Sequence, residues 1–152
     1  MVEDNGSARQ GHRLLQVGSL LILLALLVGL AIPRLTVPRL GLSTHLLGIM
    51  QGTFLMVLGL VWPKLALSRS AARVGVGLAI YGCIAAWVAN LLAAIWGAGS
   101  SMLPLAAGSA RGSGVQEAVI RVLLVSAAVS LVSATALLVW GLRVMGAKSP
   151  RN

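Results

Sequence analysis

Four apolar stretches, each about 20 residues or longer, constrain this chain more than any other feature. They run over residues 13–32, 43–62, 71–97 and 115–143 of a 152-residue sequence. At about 1.5 Å of rise per helical residue, each can cross the ~30 Å hydrocarbon core of a bilayer. With 58% hydrophobic and 10% charged residues, the chain lacks the polar side chains from which a small water-soluble domain builds its surface. The expected fold is all-α: a four-helix transmembrane bundle over residues 13–143, after a polar tail at 1–12 and before a basic tail at 144–152. Pro33 stops the first helix, Ser43 or Thr44 is a candidate cap for the second, and Trp62-Pro63 ends it.

The net charge of +9 raises nucleic acid as a partner, but the basic residues fall in short clusters between spans. No basic stripe interleaved with aromatics exists, so the implied partner is the lipid bilayer and not nucleic acid. One side collects Arg9, Arg13, Lys64, Arg69, Arg73, Arg143, Lys148 and Arg151; the other has Arg34, Arg39 and Arg111, with Arg121 one turn inside the fourth span. Positive charge stays inside, so both termini are expected to be cytoplasmic in a multi-pass cell-membrane protein. Trp62 and Trp140 then fall at the inner interface and Trp96 at the outer one. The outer loop, Gly97 to Gly114, is long for a helix connection and reads as a lid, a rim or a plain linker.

Polar side chains inside a bilayer are costly and usually face the protein interior. Here they are His45 and Gln51 in the second span, Tyr81 and Asn90 in the third, and Gln116, Glu117 and Arg121 in the fourth. All but Tyr81 fall in the outer half, which suggests one shared site. Gly48 and Gly52 form a small-residue pair, Gly82, Ala86 and Asn90 repeat every fourth residue, and Ser126, Ser130 and Ser133 mark a third stripe. Close helix packing accounts for such stripes without any site. Glu117 and Arg121 are spaced to neutralise each other.

The metal chemistry open to the chain is narrow. Cys83 is its single cysteine, which rules out an intrachain disulfide or a thiolate cluster. The second histidine, His12, belongs at the opposite end of its span, roughly 30 Å from His45, so the two cannot share one metal. A haem held by His45 alone would keep an open iron position, which suits Lewis-acid chemistry more than electron transfer. A small multidrug exporter would need an acidic residue in the first span, and Leu14 to Ile32 contains none.

The run PRLGLSTHLLGIMQGTFLMVLGLVWPKLALS, Pro38 to Ser68, resembles the hydroxylaminobenzene mutase family. The likeness continues through YGCIAAWVANLLAAIWGAGSSMLPLAA, Tyr81 to Ala107, then Gln116-Glu117 and the closing VWGLR. The spacing of His45, Gln51 and Gly52 is also similar to that of styrene oxide isomerase, a four-helix membrane enzyme with haem b at the subunit interfaces of a trimer. The resemblance implies a homo-oligomeric isomerase that converts an arylhydroxylamine to a 2-aminophenol, or an epoxide to a carbonyl compound. It implies His45 as the iron ligand of haem b and Gln51 beside a small aromatic substrate. It adds Glu117 as a proton relay, Asn90 and Tyr81 as further catalytic candidates, and Arg121 and Arg39 as contacts to the cofactor. The mutase pattern has Asn where this chain has Ala86, and Asn90 follows one turn later. A non-catalytic haem- or small-molecule-binding protein on the same scaffold is the alternative.

Overall fold

The structure, a computed structural model, describes residues 4–147, with side chains from 6 to 143. Four long helices dominate it: α1 (Asp4–Ala31), α2 (Pro38–Val61), α3 (Arg69–Trp96) and α5 (Gly114–Ala147), with the single-turn α4 (Pro104–Ala107) between the last two. Each long helix contains a stretch long and apolar enough to cross a membrane. The chain is thus a helical, multi-pass membrane protein.

Helix ends differ from the sequence-based bounds for identifiable reasons. Residues 4–12 are helical and continuous with α1, and Gly11 among them packs on Gly59 and Pro63. The second helix begins at Pro38, whose fixed φ suits a first helical turn. Ser43 and Thr44 therefore lie inside α2 and cannot cap it; the Thr44 hydroxyl bonds back to Leu40 O at 2.8 Å. Ser68 caps α3 by accepting from Ala71 N. Helix α5 carries on through Ala147, into the segment expected as a tail, and residues 148–152 lie outside the described part.

The seam between α1 and α2 follows a seven-residue rhythm. Gly11, Gly18 and Ala25 on α1 run antiparallel to Gly59, Gly52 and His45 on α2. A Cβ added at Gly11 would lie 2.6 Å from Gly59 O, and one at Gly18 2.6 Å from Gly52 O. Only hydrogen fits at these two rungs, so the backbones touch, which in lipid is a main source of helix association. The third rung pairs Ala25 with His45 and has a different content, described below.

Helix α2 then packs on α3, and α3 on α5, while α1 and α5 barely meet. The long helices neighbour one another in the order α1, α2, α3, α5, and side chains from all four join one apolar core, as a four-helix bundle requires. Accordingly α3 is the most enclosed helix, and α1 and α5 expose long apolar faces such as Leu23, Leu27 and Leu30, or Val122, Val125 and Val129.

The start of α1, the α2–α3 connection and the end of α5 share one end of the molecule: Gly11 lies against Pro63, and Gly141 against Leu67. This is the basic end. Trp62, expected in an interfacial belt, is instead only 2% exposed there, its Nε1 donating to Gln10 Oε1 at 3.0 Å. At the opposite, loop end, Thr36 Oγ1 donates to Ile95 O at 2.6 Å and Val37 N to Ala94 O at 3.1 Å. These bonds satisfy carbonyls at the end of α3 that its own helix cannot. Gly97, at φ 64, makes the left-handed turn that stops α3.

Candidate active site

His45 occupies the second turn of α2 and points across the seam to α1. Its Nδ1 is 2.8 Å from the carbonyl oxygen of Ala25. Since a carbonyl only accepts, Nδ1 carries the proton in this contact, and Nε2 keeps its lone pair. The approach depends on Gly29, one turn along from Ala25: a Cβ there would fall 2.7 Å from Nδ1 and 2.9 Å from Cε1 of the ring. His45 is half-buried, so its ring is neither a solvated cap nor sealed in the core.

Gly48, one turn further on α2, connects this seam to α3. A Cβ there would meet Ala25 Cβ at 2.6 Å and Trp87 Nε1 at 2.6 Å. The Nε1–Cδ1 edge of the Trp87 indole therefore lies against α2 at Gly48, one turn from His45. Trp87 is 7% exposed, and its buried N–H has no hydrogen-bond partner. Gln51, one turn beyond Gly48, also holds a buried amide oxygen, Oε1, without a partner. Each such group forfeits about 1–3 kcal/mol of solvation with no return, so a donor and an acceptor left open on facing helices are suited to a polar ligand. Asn90, 4% exposed, follows Trp87 by one turn on α3, and its Nδ2 donates back to Ala86 O at 3.0 Å. The amide thus turns toward the helical turn that begins at Ala86.

The other candidates do not join this group. Tyr81 is 46% exposed, and its hydroxyl is 2.8 Å from Ser126 Oγ across the α3–α5 seam. Glu117 serves the loop end. Its carboxylate accepts from Gly99 N at 2.8 Å, Ser100 N at 3.2 Å and Ser101 Oγ at 3.0 Å, and reaches Gly112 N at 3.4 Å. The 97–114 loop is therefore pinned to the first turn of α5, over a small apolar cluster that includes Leu40, Ala98, Ala107 and Ile120. That is a packed cap, and a carboxylate so fully engaged is poorly placed to shuttle protons. The expected Glu117–Arg121 pair is not formed among the described contacts; Arg121 is exposed, as is Arg39.

Sequence reasoning passed over Ala25, Gly29 and Trp87. The seven-residue rhythm on α1 and α2 was a visible signal for the first, because its third rung falls on His45. Among the described residues no group of three His, Cys, Asp or Glu side chains converges, so a metal here would have to arrive in a cofactor that takes a single histidine. The His45 imidazole fits that demand, with Nδ1 fixed and Nε2 available.

Comparison with known proteins decides the family. The styrene oxide isomerase family model matches residues 10–143. The chain belongs to the styrene oxide isomerase family. Within it, this chain is 48% identical to hydroxylaminobenzene mutase HabB of Ectopseudomonas oleovorans over 132 residues, which is 87% of this chain and 80% of that protein. It is 38% identical to hydroxylaminobenzene mutase HabA of the same organism, over 82% of this chain and 93% of that one. No solved structure matches it significantly. The family match spans all four membrane helices, so the fold described here is that of the matched region as a whole.

Proposed function

We propose that this family member is a membrane-embedded isomerase that moves a hydroxyl group within a small aromatic substrate, arylhydroxylamine to 2-aminophenol, at a haem b held by His45. The observation that carries the reading is the His45–Ala25 contact. It fixes one ring nitrogen and leaves the other free to coordinate, in a chain similar to two hydroxylaminobenzene mutases. Bound there, haem would supply a Lewis acid that polarises the N–O bond.

The reaction is redox-neutral. The N–O bond breaks, a C–O bond forms at the ortho carbon, and the proton lost from that carbon ends on nitrogen, so substrate and product are isomers. The chain's task is to hold the ring and both reacting groups in place. Gln51 Oε1 accepts from the substrate N–H, and the Trp87 indole N–H donates to its oxygen; each gains the partner it lacks. Asn90 adds an amide one turn away on α3. Arg39 and Arg121, two of the exposed cations at the loop end, are the ones we assign to propionate groups. Tyr81 takes no part within a single chain, because it faces Ser126. The family description favours a second substrate class, an epoxide opened to a carbonyl compound by the same Lewis acid.

The basic end faces the cytoplasm, in line with the excess of Lys and Arg there. The apolar faces on α1 and α5 leave room for neighbouring copies, and a trimer is the assembly that the likeness to styrene oxide isomerase implies. The deciding experiment is an optical spectrum of detergent-purified protein after haem-supplemented expression. A Soret band lost in His45→Ala supports the reading, and a colourless wild type overturns the cofactor assignment. Phenylhydroxylamine should then give 2-aminophenol of unchanged mass. Control-level conversion of both phenylhydroxylamine and styrene oxide by coloured protein would indicate a haem-binding protein without this activity.

A further inference from the structure

At the basic end, far from His45, α1 and α3 both rest on α2 but leave a gap between themselves. The gap holds two adjoining cavities that share Gln10 and Arg73. The outer one, about 400 Å³, is polar, with Ser7, Gln10, Arg69 and Arg73 on its walls. The inner one, about 540 Å³, starts at Arg13 and Arg73 and continues between Val17, Val76, Ile80 and Ile84. We propose that this groove is a site for an anionic phospholipid, with the phosphate on Arg13 and Arg73 and one acyl chain along α3.

Charge is the first argument. Arg13 and Arg73 are exposed and line the same cavity, and the described residues that line it with them include no carboxylate. Two guanidinium groups brought together at a membrane surface favour an anion that accepts from both, and a phosphodiester does so in the geometry that Arg matches best. Shape is the second. From Arg73 to Ile84 the groove follows α3 for about 16 Å, roughly half of the ~30 Å hydrocarbon core and hence one leaflet. Gly77 lines it, and a Cβ added there would meet nothing within 4 Å, so the groove is open at that level. A free phosphate would satisfy the arginines and leave this apolar slot unused.

The test reconstitutes the protein in nanodiscs of mixed phosphatidylglycerol and phosphatidylethanolamine and reads retained lipid by native mass spectrometry. Wild type should retain phosphatidylglycerol preferentially. The double variant R13Q/R73Q should lower that preference about 30-fold, from roughly fivefold per arginine, and R13K/R73K should fall between the two, because lysine keeps the charge and loses the paired geometry. G77L retains both arginines but fills the slot, and should also release the lipid while its helical spectrum and unfolding midpoint stay wild-type. Unchanged retention in G77L would reduce the arginines to ordinary surface charge, and unchanged retention in R13Q/R73Q would remove the phosphate contact; either overturns the proposal. A dimer mass that is present in wild type and lost in G77L would assign the groove to a second copy and overturn it equally.

Discussion

The Nδ1 of His45 lies 2.8 Å from the backbone carbonyl of Ala25, so one helix sets the tautomer of a side chain on another. A carbonyl in a helix is normally committed to its own ladder. It can accept a second donor here because Gly29 removes the side chain that would cover it. The α1–α2 pair therefore acts as a holder for one imidazole, and its precision depends on a glycine whose nearest neighbours are the ring's own atoms.

Gly29→Ala should break that hold. A methyl group 2.7 Å from Nδ1 forces the ring off Ala25. Losing the partner that orients a coordinating histidine typically costs about 10- to 100-fold in metal affinity, and a haem titration should show a loss of that size. Nitrogen NMR of the haem-free protein should show the imidazole shifting from a single Nδ1–H form to a tautomer mixture. Unchanged spectra would mean the contact does not set the tautomer.

The two glycine rungs below His45 should matter to stability in proportion to their closeness. Gly18→Val places carbon 2.6 Å from Gly52 O and should cost about 1–3 kcal/mol. Gly77→Ala on α3 meets nothing within 4 Å and should be neutral or stabilising by up to about 1 kcal/mol. Unfolding in mixed micelles of increasing denaturing-detergent fraction measures both. Equal effects would show that the α1–α2 seam is looser than its geometry.

Span number and the two ends of the molecule were legible in the sequence because hydropathy and Lys/Arg counts report directly on contact with lipid. The order in which the helices pack was not, since a helix apolar on all sides does not announce which neighbour it takes. His45 and Gln51 stood out as polar residues in an apolar run. Glu117 stood out for the same reason and misled, because the Gly99–Ser101 amides that occupy it come from a loop whose path no local pattern fixes. Trp87 was hidden by being apolar for most of its surface. Only the structure reveals that its N–H has nothing to bind.

Glu117→Gln tests the pin on the 97–114 loop. The amide keeps the shape but removes the charge that strengthens these bonds, each worth about 1.5–3 kcal/mol to a charged acceptor. Exchange of the Gly99, Ser100 and Ser101 amides should quicken about 10- to 100-fold, and protease should cut within the loop first. The α5 amides beyond Arg121 should keep their protection. A loop as protected as in wild type would show that its apolar contacts, and not Glu117, hold it down.

Trp87→Phe separates binding from folding. Phenylalanine keeps an aromatic ring against Gly48 but removes an N–H that is buried without a partner in the free protein. Relief of about 1–3 kcal/mol of desolvation offsets the smaller ring, so stability should be unchanged or higher. Substrate loses a donor, however, and its KM should rise about fivefold, the worth of a hydrogen bond near 1 kcal/mol. Gln51→Leu should behave in the same way from the acceptor side. The two effects run in opposite directions, which a purely structural role cannot produce. A large loss of stability with KM unchanged would mean that the indole already has a partner within the protein, and the ligand role of Trp87 would fall.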